Sequence, residues 1–183
     1  MNRKEIRIGV VPIGDIPEIA VKSLAAHITG YLDCEACILP SLSKPAYAFD
    51  RNRDQYNAAS ILKELESSPF PGYAKVVGLL NVDLFVPVFT HVFGEARQGG
   101  NRALVSLFRL RGKKRNYRPR MPLFFDRAAK VCLHELGHLF DLLHCADERC
   151  LMHFSGTLLE LDRIPLRFCR YCSTYLQDAF ERG

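Results

Sequence analysis

The sequence predicts an α/β fold: a mixed, twisted sheet with flanking helices, followed by a small, mostly helical C-terminal subdomain. Three observations carry this expectation. Strand-like apolar runs alternate with helically spaced segments through the first half, whereas the last forty residues are helical in pattern and rich in cysteine. The chain has 183 residues and is 48% apolar. A chain of that size buries about 70% of its unfolded surface in one core without cross-links. The expected division falls after the longest helix, giving residues 1–144 as the α/β part and 145–183 as the subdomain.

The elements follow in order. Ile6 to Ile13 is a nearly unbroken apolar run and reads as a buried strand; Pro17 to Tyr31 places Ile19, Ala20, Leu24, His27 and Ile28 at helical spacing. Ala36 to Leu39 is a short strand. Asp54 to Glu66 reads as a helix stopped by Ser67, Ser68 and Pro69, and Ala74 to Leu80 as another buried strand. The first eighty residues thus read βαβαβ. Phe85 to Phe93 and Ala103 to Leu110 resemble two further strands around the glycine-containing loop 94–100, and a helix is expected from Phe124 to about Leu143.

Composition excludes several classes. The longest apolar stretch, Val76 to Phe89, is broken by Asn81, Asp83 and Pro87 and falls short of the ~18 residues of a membrane span. The first residues, MNRKEIRIGVVPIGD, lack the apolar core of a secretory signal, so a cytoplasmic protein is expected. Seven cysteines, an odd number, then fit reduced thiols or metal ligands better than disulfides.

His134, Glu135 and His138 form the pattern H-E-x-x-H. Histidines four apart share one helix face, so both imidazoles can reach a single ion, while Glu135 is turned about 100° from His134 and suits a group beside the metal. Zinc held by three protein ligands keeps a fourth position for water and lowers its pKa to roughly 7, and a neighbouring carboxylate can take the proton as general base. His144 extends the pattern to H-E-x-x-H-x-x-x-x-x-H. On a continuous helix it would lie about 15 Å from His134, so the helix must stop and reverse after His138 for the three to converge. The residue at the reversal is Asp141, one of the few types that tolerate a left-handed backbone. Its carboxylate can face solvent or bond a ligand histidine's second nitrogen. Glu148 and Glu160 are the other candidates for a third ligand, and His144 can instead be an ordinary core or helix-terminal histidine.

Cys145 and Cys150 form C-x4-C, and Cys169 and Cys172 form C-x2-C, with eighteen residues between the pairs. Paired spacings of this kind suit a tetrathiolate zinc site, which leaves no open position and so braces structure. Four unrelated thiols are the alternative. A third pair, Cys34 and Cys37, has no second pair to complete a site, and Cys132 reads as a small buried hydrophobe.

Residues 134–172 resemble the archaemetzincins, a family of zinc metalloproteases with the signature HExxHxxGxxHC-x4-C-x-M followed by CxxC. The resemblance implies a metzincin-like fold. It implies His134, His138 and His144 as catalytic zinc ligands, Glu135 as general base, and Cys145, Cys150, Cys169 and Cys172 around a structural zinc, two Zn2+ per chain. Met152 takes the place of the methionine in the turn under the histidines, and Asp141 stands where the signature has glycine. The resemblance also implies a sheet edge beside the cleft where a peptide can add as a strand; Phe85 to Phe93 or Ala103 to Leu110 are the candidates.

The expected protein is therefore a zinc metallopeptidase acting on peptides or proteins, a monomer without membrane or nucleic-acid partners. Two rivals follow from other features. The H-E-x-x-H site can be catalytically silent in a zinc-stabilised binding module. Seven of the twelve residues from Arg109 to Arg120 are Arg or Lys, a pattern able to bind nucleic acid but read more simply as a solvated loop.

Overall fold

The computed structural model describes residues 6–112 and 121–182. Its main sheet has the order β2-β1-β5-β9-β8, built from β1 (Arg7–Ile13), β2 (Glu35–Ile38), β5 (Lys75–Leu80), β8 (Gly94–Ala96) and β9 (Arg102–Ser106). The first four strands of that order run parallel, and β8 pairs antiparallel with β9 at the edge. Parallel strands must be covered on both faces, which explains why β1, β5 and β9 read as continuous apolar runs.

Alternate residues of those strands feed two cores. Ile8, Val10, Val77, Leu79, Ala103 and Val105 face α1 (Glu18–Leu32), α3 (Met121–Leu139) and the C-terminal segment. Val11, Ile13, Val76, Leu80 and Leu104 face α2 (Ala58–Ser67) and a second, smaller sheet. The period of two in the side chains is thus what makes one sheet serve both layers. Leu176 and Phe180 of α5 (Arg170–Arg182) and Leu161 of α4 (Leu158–Arg163) are buried in the first core, so the C-terminal segment shares the core of the α/β part.

The second sheet was not legible as a separate unit. It has the order β3-β4-β6-β7, from β3 (Phe49–Asp50), β4 (Gln55–Asn57), β6 (Leu84–Val86) and β7 (Phe89–Val92). The expected helix from Asp54 starts only at Ala58, because residues 55–57 pair with β3 and β6; Asn57 then caps it, its side chain accepting from the Ser60 N–H at 3.1 Å. The expected strand Phe85 to Phe93 is two strands folded into a hairpin, broken at Pro87, which has no N–H to give a ladder. The chain changes sheet at Phe93, whose buried ring separates β7 from β8. Ala103 to Leu110 lies in the interior of the main sheet, and its end is a 3-10 turn, Arg109–Arg111; it therefore cannot be the free edge that sequence suggested.

Candidate active site

Helix α3 carries Lys130, His134 and Glu135 into the wall of a cleft and His138 one turn beyond His134. It ends four residues earlier than sequence suggested, at Leu139, in a Schellman motif: the Leu142 N–H donates to the Gly137 carbonyl at 3.0 Å and the Asp141 N–H to the His138 carbonyl at 3.0 Å. Asp141 is left-handed, with φ 70°. This is the reversal that the third histidine requires, and it brings His144 back: its ring centroid is 5.2 Å from that of His134 and 4.8 Å from that of His138.

The three imidazoles each offer a nitrogen, and these atoms all lie within 4.8 Å of one another. His134 Nε2 and His138 Nε2 are 3.1 Å apart. Both rings are fixed from behind by carbonyls: His134 Nδ1 donates to Leu151 O and His138 Nδ1 to Leu142 O, each at 2.8 Å. With the proton placed on Nδ1 by those acceptors, both Nε2 lone pairs face the common point. Burial pushes the His134 imidazole down to about 3, and it lowers His138 and His144 as well, so the rings are neutral donors at ordinary pH. Three neutral imidazoles converging in this way fit a zinc ion.

The Asp141 carboxylate bonds neither ligand ring nor bulk solvent alone; Oδ1 accepts from Gln98 Nε2 at 2.9 Å. Glu160 is engaged elsewhere, its Oε2 accepting from the Gly156 and Thr157 N–H groups at 2.9 Å as part of a capping box on α4. Neither Glu160 nor Glu148 belongs to the histidine group.

Glu135 is 8% exposed and lies in the cleft wall between His134 and the edge strand β8. It leans on Gly94: a Cβ at that position would lie 2.6 Å from Glu135 Oε1 and 2.8 Å from the Leu104 carbonyl, so only glycine fits. Burial, reinforced by the nearby Glu95, holds the Glu135 carboxyl well above the ordinary carboxylate range. Glu95 is itself raised by burial, with Arg97 opposing.

Beneath the histidines, Met152 is fully buried against Gly137, where a Cβ would collide with its sulfur. Two residues on, Phe154 meets His144 edge-on at 5.4 Å and stacks on Phe89 of β7 at 5.8 Å, closing one side of the cleft. The strand-like wall of the cleft is formed by β7 and the start of β8, the edges of the two sheets.

Cys145, Cys150, Cys169 and Cys172 form the second cluster, their sulfurs all within 4.8 Å of one another. The Cys169 and Met152 N–H groups donate to Cys150 Sγ at 3.3 and 3.5 Å, and the Cys172 N–H donates to Cys169 Sγ at 3.5 Å. Burial raises the Cys150 and Cys172 thiols, and for Cys172 the neighbouring sulfurs add to it. Four sulfurs this close can all be thiolates only with a cation between them to offset their mutual repulsion, and so this donor set also fits zinc. No disulfide forms among the described residues.

The other histidines and cysteines lie outside both clusters. His153 Nδ1 bonds the Cys145 carbonyl at 2.9 Å, His27 Nδ1 bonds the Ser23 carbonyl at 2.7 Å, and His91 meets the Phe93 ring edge-on at 5.6 Å. Cys132 is fully buried, and Cys34 and Cys37 belong to neither cluster. Of the basic run, Arg109 is tied to Asp83 by two bonds of 2.5 and 2.6 Å, while residues 113–120 lie outside the described part. Sequence reasoning missed Gly94, the Leu142 and Leu151 carbonyls, Phe154 and Lys130. Only Lys130, four residues before His134 on the same helix face, carried a positional signal.

Residues 30–178 match Peptidase family M54. The archaemetzincin of Methanocaldococcus jannaschii is 36% identical over 174 residues, 94% of each chain, and that of Methanopyrus kandleri is 38% identical over 173 residues, 93% of this chain and 94% of the relative. The crystal structure of the Methanopyrus kandleri archaemetzincin superposes with a TM-score of 0.87 at 35% identity, covering 100% of this chain and 99% of that one. A crystal structure described as a zinc-dependent peptidase from Methanocorpusculum labreanum gives 0.82 at 25% identity, over 92% of this chain and 99% of that one. Fold and site together define a zinc metallopeptidase. The chain belongs to peptidase family M54, the archaemetzincins.

Proposed function

We propose that the chain hydrolyses peptide bonds with Glu135 as general base and proton carrier, that His134, His138 and His144 hold the catalytic zinc, and that Cys145, Cys150, Cys169 and Cys172 hold a second, structural one. Convergence of three imidazoles, two of them oriented from behind by main-chain carbonyls, beside one buried carboxylate is the observation that carries this reading. When bound, the catalytic zinc would polarise the scissile carbonyl and acidify the attacking water. Glu135 takes the proton from that water at a carboxylate oxygen. Its burial makes it a better proton acceptor and lets it keep the proton until the leaving amine collects it. Gly94 leaves the space that this carboxylate occupies, and Met152 supports the helix under the rings.

The same reading makes residues 145–183 a subdomain braced by the four thiolates, and the reduced thiols accord with a cytoplasmic protein. A monomer acting on a peptide fits an edge strand left unpaired beside the cleft. Among the described residues, no helix is long and apolar enough to cross a membrane.

The test is Glu135→Gln: zinc content by elemental analysis stays at two per chain, while turnover of a mixed peptide library falls about 10²–10⁴-fold. Undiminished turnover would remove Glu135 from the mechanism. Two zincs with no chelator-sensitive cleavage by the unaltered chain would favour the silent binding module.

A further inference from the structure

The cleft that His134 and Glu135 line has a volume of about 220 Å³. That is below the ~300 Å³ at which small-molecule sites begin, and suits a single side chain. Val131, Leu151, Leu161 and Ile164 give it apolar walls, but Lys130 lies among them, one helical turn from His134 and 4% exposed. A buried lysine without a structural partner would be costly, and this one is partly satisfied: its Nζ donates to Asp126 Oδ2 at 2.7 Å and to the Leu161 carbonyl at 3.3 Å. An ammonium has three N–H donors, and among the described residues these are the two acceptors it meets. Asp126 is not among the residues lining the cavity.

We propose that this cavity receives a substrate side chain that ends in a hydrogen-bond acceptor, with Lys130 as the specificity-determining residue that reads it; this rests on the peptidase function proposed above. A glutamine or glutamate fits the arrangement: its methylenes lie against the four aliphatic walls and its terminal oxygen accepts the third N–H. A leucine or methionine of similar size would leave that donor unpaired and dry, and sites built to pair a polar group reject isosteres that lack it. Because Asp126 already balances the ammonium, the pair is neutral, and the amide and the carboxylate are taken about equally.

The experiment uses the zinc-loaded full chain and blocked peptides varied at each position around the cut, with products read by mass spectrometry. At one position the unaltered protein turns over Gln and Glu peptides about tenfold or more faster than Leu and Met peptides. Lys130→Met reverses that order. Asp126→Asn, which leaves Lys130 in place, raises Glu over Gln. A preference for Leu and Met at every position, or an acceptor preference that survives Lys130→Met, overturns the proposal. Should no peptide be cut, the same peptides are titrated onto the protein by fluorescence anisotropy. An acceptor preference in Kd that Lys130→Met abolishes would uphold the role of Lys130 while ending the peptidase reading. Absence of any such preference would end the proposal itself.

Discussion

Gln98 donates from its side-chain amide to the carboxylate of Asp141 at 2.9 Å, tying the loop between β8 and β9 to the residue at which the active-site helix reverses. The Gly99 N–H adds a second tie, to the His138 carbonyl at 2.8 Å. A position where related signatures have glycine thus holds a residue that compensates for its left-handed backbone with an anchoring bond. Replacing Asp141 with Gly relieves the backbone but loses the bond, two effects of about 1 kcal/mol each in opposite directions. Thermal unfolding should therefore show little change for Asp141→Gly. Asp141→Ala has both penalties and should lose about 1–3 kcal/mol.

Gly94 and Glu135 are close enough that no side chain fits between them. Gly94→Ala should displace the carboxylate without touching a histidine. The expected outcome is unchanged zinc content with kcat reduced about 10²-fold, the scale of a misplacement of about 1 Å. Equal losses of zinc and activity would show that β8 supports the ligands instead.

The carbonyl that orients His134 belongs to Leu151, between Cys150 of the thiolate cluster and Met152. Changing Cys169 and Cys172 together to Ser should remove the second zinc and lower the unfolding temperature. It should also weaken zinc binding at the histidines about 10–100-fold, as loss of an orienting partner does. Competition titration against a chromophoric chelator measures both.

The metal-free chain should be most stable at intermediate pH. His134 titrates near 3 in the fold but near 6.5 when unfolded, so the unfolded chain binds the extra proton and stability falls as pH drops below about 6.5. Glu135 is shifted upward, so the folded chain holds a proton that the unfolded chain releases, and stability falls as pH rises above about 4.5. Metal-free Glu135→Gln should therefore be more stable than the unaltered chain at neutral pH and retain the acid limb. Denaturant unfolding across pH 4–8 checks the sign of each.

Much of the site was legible because ligand types must recur at fixed intervals along the chain. His134 and His138 follow from helical periodicity, and the need for a reversal before His144 follows from helix rise alone. The pairs Cys145/Cys150 and Cys169/Cys172 follow from spacing. The opposing partners were not legible: Gly94 of β8 and Gln98 of the loop after it lie about forty residues away, and nothing local marks them as neighbours of Glu135 and Asp141. Main-chain carbonyls such as Leu151 O have no sequence signature at all. The fold class was visible in the apolar runs of β1, β5 and β9, which parallel burial demands. The second sheet was not, since β3, β4 and β6 are two or three residues long and give no period to read.

The arrangement of Cys150, Leu151 and His134 bears on how the protein matures. Cys169 and Cys172, the last two sulfurs of the cluster, are translated well after the helix that bears His134 and Glu135. A nascent chain halted before them lacks the clasp that steadies His134 and the segment running back to His144. On the function proposed above, hydrolysis would wait until residues 169–172 have been made and folded, and shorter nascent fragments would not cut.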